Sequence, residues 1–401
     1  STSTTATTVV SDTTDDNAMF TDRDKEIGYS EAESTIVTLA DNASTASGDG
    51  VAISGNTITI SAEGTYILSG SLSNGQIVVD AADDAKIQIV LNGVDITNES
   101  TAAIYVKNAD KVFITTASNT ENSVSVTGEY VAIDENSIDA AIFSKTDLTL
   151  NGAGTLTINS KYGHGVVSKD DLVVTCGTYV ITAENQGLSG KNSVRIADGT
   201  FTITAGTDGI HSENADDTTL GFVYIAGGNF SISAGKQGIS GTSDVSVVDG
   251  TINITESYEG IEALTINISG GDITIVSSDD GLNAAGGNDG SGSMAQGNMG
   301  AVEGCLINIS GGPLTMDANG DGIDSNGSLS TSGGVITVNG PASQGNGAFD
   351  FNGTADITGG TIVGASNGGM DEGFSESSTQ GSITYSLGAS QSAGTTVTLK
   401  D

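Results

Sequence analysis

Three segments repeat one pattern of oxygen-bearing side chains around an apolar residue: Glu259-Gly-Ile-Glu262, Asp280-Gly-Leu-Asn283 and Asp321-Gly-Ile-Asp324. Asp350 falls in the slot of Asp324, 26 residues later, the interval that also separates the neighbouring Gly-Gly pairs. Asp279 and Asp208, the latter in Asp208-Gly-Ile-His211, extend the set. Carboxylates that recur at the ~4.8 Å spacing of adjacent strands repel one another, and a calcium ion about 2.4 Å from each oxygen fits between them. Scattered acids would read as a solvated surface; acids in register predict bound calcium. Magnesium tolerates such a cage poorly. His164 and His211 lie a coil or more apart with no cysteine near them, which argues against zinc.

Two ladders of glycine show what would hold these acids in line. The first is Gly165, Gly187, Gly209, Gly238, Gly260, Gly281 and Gly322; the second is Gly177, Gly199, Gly228, Gly250, Gly271, Gly312, Gly334 and Gly360. Both step by about 22 residues and lengthen in the same places, as one repeating unit with loops inserted would. Positive φ at tight corners is the expected reason for glycine in both. Between the glycines run short alternating segments such as Thr200-Phe-Thr-Ile-Thr204 and Thr251-Ile-Asn-Ile-Thr255. Period two with β-branched residues means half-buried strands. Coils of about 22 residues that pair strand on strand predict an all-β solenoid, a parallel β-helix. One inward ladder should then contain Ile210, Ile239, Ile261, Leu282 and Ile323, with the acids beside it facing out.

The organisation reads as a polar leader over 1–34, N-terminal capping coils over 35–138, regular coils over 139–373 and closing strands over 374–401, the last from Ser382-Ile-Thr-Tyr-Ser386 and Thr395-Thr-Val-Thr-Leu399. The leader is either a linker or a donor strand, since Thr4-Thr-Ala-Thr-Thr-Val-Val10 is β-prone and could extend the sheet edge of another subunit. Two coils swell on one side of the rod, around Glu213 to Phe222 and from Gly286 to Val302. Cys176 and Cys305 are roughly 24 Å apart along such a rod, too far for a disulfide, so two free, buried thiols are expected.

With 50 acidic and 12 basic residues the formal charge is −38, which makes nucleic acid and anionic membrane poor partners. No apolar span of membrane length and no signal segment occur, so Ser1 is expected to begin a processed chain. The Ser/Thr/Gly/Asn-rich, lysine-poor surface points to a secreted or cell-surface protein.

Several stretches carry a family resemblance. They are Gly64-Thr-Tyr-Ile-Leu-Ser-Gly-Ser-Leu-Ser-Asn-Gly-Gln-Ile-Val-Val-Asp80, Val90-Leu-Asn-Gly-Val-Asp-Ile96, Ala103-Ile-Tyr-Val-Lys-Asn-Ala-Asp-Lys-Val-Phe-Ile114, Ala141-Ile-Phe-Ser-Lys145 and Phe20-Thr-Asp-Arg-Asp24. Together they closely resemble the clostridial carbohydrate-binding β-helix family, calcium-loaded relatives of pectate lyases that bind polygalacturonate and cellulose without cleaving them. The resemblance implies a right-handed helix, calcium and export. This chain departs from the family at His164-Gly-Val and Gln186-Gly-Leu, where relatives often carry Asp-Gly-Ile, and at Asn192, where they carry Asp. The early coils are therefore expected to have lost calcium sites.

Three functional readings follow. The first is calcium-dependent, non-catalytic binding of acidic polysaccharide: calcium held by one or two protein carboxylates keeps positions open for sugar carboxylates. Cellulose is less supported, because stacking on glucan wants a flat aromatic row and the chain has nine Tyr, nine Phe and no Trp. The second is a self-assembling extracellular fibre or adhesin joined through Thr4–Val10. The third is a lyase, which needs a base next to calcium; from Gln237 to Leu399 there is no lysine or arginine against eighteen acids, leaving only His211 beside Asp208.

Overall fold

The computed structural model describes residues 16–285, 301–342, 345–368, 371–392 and 394–398. The donor-strand segment Thr4–Val10 and most of the 286–302 insertion lie outside the described residues. Thirty strands, from Ile104–Asn108 to Thr361–Ala365, follow one another in threes and make ten rungs. The first strand of each rung joins a 13-stranded sheet; the second and third belong to a 24-stranded sheet that the long strand Lys86–Asn98 wraps around a corner. From rung to rung the pairing is parallel, and Thr178 faces Thr200, 22 residues on. The expected inward ladder is continuous: Ile210 pairs with Ile239, then Ile261, Leu282 and Ile323, all buried. Every rung thus buries the same positions of the repeat, and the large parallel sheets are those of a β-solenoid.

The two glycine ladders turn out to exist for different reasons. All eight glycines of the second have positive φ, from +75° at Gly312 to +143° at Gly199, where a side chain would be strained. None of the first has. There the next rung stands too close: a Cβ on Gly260 would lie 2.3 Å from the Gly281 carbonyl oxygen and 2.4 Å from Ile275. Steric closeness, not left-handed backbone, selects glycine at the acid corners.

Inside the third face Tyr179, Phe201 and Phe230 occupy equivalent positions and stack, with centroids 5.3 and 4.6 Å apart. Truncating the middle ring leaves a cavity bounded by rungs that pairing prevents from collapsing. Phe201→Ala is expected to lose about 3–5 kcal/mol in a urea titration.

Three parts depart from the sequence reading. The leader is not wholly free, because residues 16–26 dock on the rod, through two single-turn helices at Asp16–Met19 and Asp22–Lys25. The rod opens with two antiparallel pairings, Val51–Ser54 with Thr57–Ile60 and Thr35–Leu39 with Thr45–Ala46. No strand follows Thr361–Ala365 among the described residues. Of the closing strands expected at 382–386 and 395–399, the described residues 382–386 and 395–398 carry no strand, and Ile383 and Tyr385 are 71% and 77% exposed. Alternation specifies a strand only where a sheet face is there to cover its apolar side. Both cysteines are free, Cys305 buried and Cys176 only half-buried.

Candidate metal centre

The acid corners occupy the first strand of successive rungs and form two columns flanking the inward ladder. One runs Gln237, Glu259, Asp280, Asp321, as the Gln237–Glu259 pairing and the backbone bonds from Gly260 to Asp280 and from Gly281 to Asp321 show. The other runs His211, Ser240, Glu262, Asn283, Asp324, Asp350. Asp350 does share the slot of Asp324. Half of these side chains, expected to face outward, are shut away from water. Glu259, Glu262, Asp280 and Asn283 are 2%, 5%, 6% and 0% exposed, while Asp279, Asp321, Asp324 and Asp350 are half-buried. The close rungs that demand glycine also shut water away from the residues beside it.

Several of the acids are held by neighbouring amides. The side-chain amide of Gln237 donates to Glu259 Oε2 at 3.2 Å and that of Asn283 donates to Glu259 Oε1 at 3.0 Å. The Asp321 backbone N–H donates to Asp280 Oδ1 at 2.6 Å, and the Gly347 N–H donates to Asp321. Asp279 and Asp280 each bring an oxygen to the same point: a Cβ on Gly320 would meet Asp280 Oδ1 at 2.3 Å and Asp279 Oδ1 at 2.4 Å. These bonds do not neutralise the charge. Burial first, then the charges of Asp324 and Asp279, pushes the Asp280 carboxyl up to about 9. Burial, with the charges of Asp350, Asp279 and Asp371, pushes Asp321 up to about 6. Burial also raises Asp350. The donor set along the columns is all oxygen, which suits a hard cation such as calcium better than a soft metal, but among the described residues no three of these acids bring ligand atoms within 4.8 Å of one another.

Asp208 lies three rungs before Asp280 and in different company. Burial pushes its carboxyl up, but hydrogen bonds from His211 and Gln186 and the His211 charge hold it below the ordinary value. His211 Nδ1 is 3.1 Å from Asp208 and Nε2 3.6 Å from Glu213, so the imidazole sits between two carboxylates. Asp208 thus pairs with His211 while standing in the column just before Gln237, whose backbone N–H donates to its Oδ1 at 3.4 Å.

Two groups escaped the sequence reading. Asp371 accepts from the Ala348 N–H at 2.7 Å and stands over Gly347, next in line after Asp321. Its context, Asp371-Glu-Gly-Phe374, repeats Asp279-Asp-Gly-Leu282, with Phe374 packing on Phe349 of the inward ladder at 5.3 Å. That motif was the available signal. The other group is Asp147, Asp170 and Asp171, whose carboxylates converge within 4.8 Å where the first strand of the rung turns into the second. Arg195 binds Asp171 at 2.6 Å and Asn192 holds Asp170, so this cluster already has donors.

The sequence profile of a family described as carbohydrate-binding domain-containing protein matches residues 54–305, and the chain belongs to that family. A carbohydrate-binding domain-containing protein of Acetivibrio thermocellus is 36% identical over 137 residues, 34% of this chain and 48% of that protein. The chain therefore spans about half the length of this curated relative. A solved structure described as a polysaccharide lyase-like protein from C. thermocellum, in its gadolinium derivative, superposes with a TM-score of 0.53 at 33% identity, over 57% of this chain and 93% of that one. No helix among the described residues is long and apolar enough to cross a membrane.

Proposed function

We propose that the protein binds acidic polysaccharide outside the cell through calcium held along the acid columns, without cleaving it. Glu259, Glu262, Asp279, Asp280, Asn283, Asp321, Asp324 and Asp350 would hold the metal, and Asp371 joins them on position. The observation that carries the reading is the register of these groups on four successive rungs, with Asp279, Asp321 and Asp324 close enough to Asp280 to raise its proton affinity. A chain of charge −38 repels a polyuronate. Calcium reverses the local sign and keeps coordination positions for sugar carboxylates. The protein's own part is to hold the cations one rung apart along a rigid axis, so that a linear polyuronate can meet several of them at once. The right-handed coil that parallel crossovers almost always take belongs to this reading. The family supplies the carbohydrate. The related gadolinium derivative is of a kind with it, since gadolinium, like calcium, is a hard cation that takes oxygen ligands.

Affinity electrophoresis through gels containing polygalacturonate provides the test. Retardation is expected with calcium and not with a chelator, and it should be lost in the Asp321→Asn, Asp324→Asn double variant. Retardation that survives chelation would overturn calcium dependence. Accumulation of unsaturated ends, read by ultraviolet absorbance, would make the protein a lyase after all.

A further inference from the structure

Solenoid rungs ordinarily touch only their neighbours, so stability runs along the rod as a chain of nearest-neighbour terms. This rod has a second connection. Residues 16–26 lie lengthwise on the outer surface of the 24-stranded sheet and contact the strand Lys86–Asn98 and the five successive rungs that follow it. Phe20 packs on Val173 and Tyr224, its ring centroid 6.1 Å from that of Tyr224. Arg195 donates to the Met19 carbonyl oxygen at 3.0 Å. The Asp24 carbonyl accepts from Thr175 at 2.8 Å and from Asn151 at 3.0 Å. The buried Asp24 carboxylate accepts from Thr149 at 2.6 Å and pairs with Lys111 at 2.7 Å. At the near end Arg23 lies over the Phe113 ring at 4.3 Å and donates to Gln88 at 3.3 Å.

The contacts have the character of a built joint. Thr21 caps the Asp22–Lys25 turn through a reciprocal bond with Asp24, fixing the carboxylate before it meets the sheet. Burial pushes the Asp24 carboxyl up, yet the bonds from Lys111, Thr149 and Thr21 hold it below its ordinary value. Both arginines of the chain, Arg23 and Arg195, are spent here. The sheet residues engaged, Gln88, Lys111, Thr149, Asn151, Thr175 and Arg195, are spread over five successive paired strands or their ends, so one short segment bonds to all of them at once.

We propose that residues 16–26 form a longitudinal clasp that makes the rungs from Lys86–Asn98 to Phe222–Ile225 open as one cooperative block, in place of rung by rung. Rungs beyond the clasp, from Thr251–Glu256 to Thr361–Ala365, keep only nearest-neighbour coupling and open separately.

Native-state amide exchange on the full 401-residue chain with calcium tests this, comparing wild type with Phe20→Ala at one end of the clasp and Asp24→Ala near its middle. Each substitution is expected to speed exchange by about tenfold or more throughout the strands Lys111–Thr116 to Phe222–Ile225, including rungs the altered residue does not touch. Strands from Thr251–Glu256 onward should exchange as in wild type. Loosening confined to Val173 and Tyr224 in the first variant, or to the rungs of Lys111, Thr149 and Thr175 in the second, would reduce the clasp to local contacts and overturn the proposal. Uniform loosening of the whole rod would overturn it equally. Should Asp24→Ala fail to fold, Phe20→Ala decides alone, because it leaves the buried ion pair intact.

Discussion

Without calcium the protein is expected to become less stable as pH rises from about 4 to about 9, and calcium should abolish most of that slope. The sign follows from the carboxyls of Asp280 and Asp321, raised in the folded chain to about 9 and about 6 from an ordinary 3.8. Between the ordinary and the raised values the folded state keeps protons that the unfolded state has released. Folding therefore weakens with each step up in pH until the folded-state values are passed. A divalent cation stabilises the ionised form instead, and at a thousand times its Kd contributes about 4 kcal/mol. Thermal melts across this pH range, in chelator and in calcium, should diverge most at the alkaline end. The Asp321→Asn, Asp324→Asn variant should melt higher than wild type in chelator, and respond less to calcium. Superimposable wild-type curves with and without calcium would sink the metal assignment.

The second large effect is expected from a single methyl group. Gly260→Ala places a Cβ against the Gly281 carbonyl oxygen and Ile275, neither of which can withdraw without separating two rungs. A loss of about 3 kcal/mol or more is expected from chemical denaturation. Calcium affinity should fall with it, since Glu259 and Glu262 flank the displaced residue. Gly28→Ala is the control: nothing lies within 4 Å of its added carbon, and the change should be close to neutral. If both variants unfold at the wild-type midpoint, the first ladder is not held by closeness of rungs.

Much of this was legible in the sequence because a solenoid repeats its physics. Each rung states again where glycine stands and where Ile or Leu points inward, so the ladder through Ile261 and Leu282 and the slot of Asp350 could be read by counting. Burial of Glu259 and Asn283 could not. Period alone places a residue beside the inward position without saying how near the next rung comes. Asp371 was hidden by a change from Ile or Leu to Phe at the inward position and by the longer last coil. The clasp was out of reach for another reason: Asp24 meets Thr149 across 125 positions of sequence, and nothing periodic connects them. At 382–386 and 395–398, where strands were expected, the described chain carries none. Alternation of Ile383 and Tyr385 was real, but a pattern supplies no surface to lie on.

The docked residues 16–26 also set how the molecule meets a pull. Tension applied to the chain ahead of Asp16 does not arrive at Thr35–Leu39, the first strand of the rod. It arrives near Tyr224, far along the axis, and is directed across a seam that runs lengthwise. Anchored there, Phe20, Asp24 and Arg23 resist sliding together, whereas a strand drawn off the end of a rod yields one hydrogen bond at a time. A tether on that side would grip the rod by its flank and leave its first rung slack.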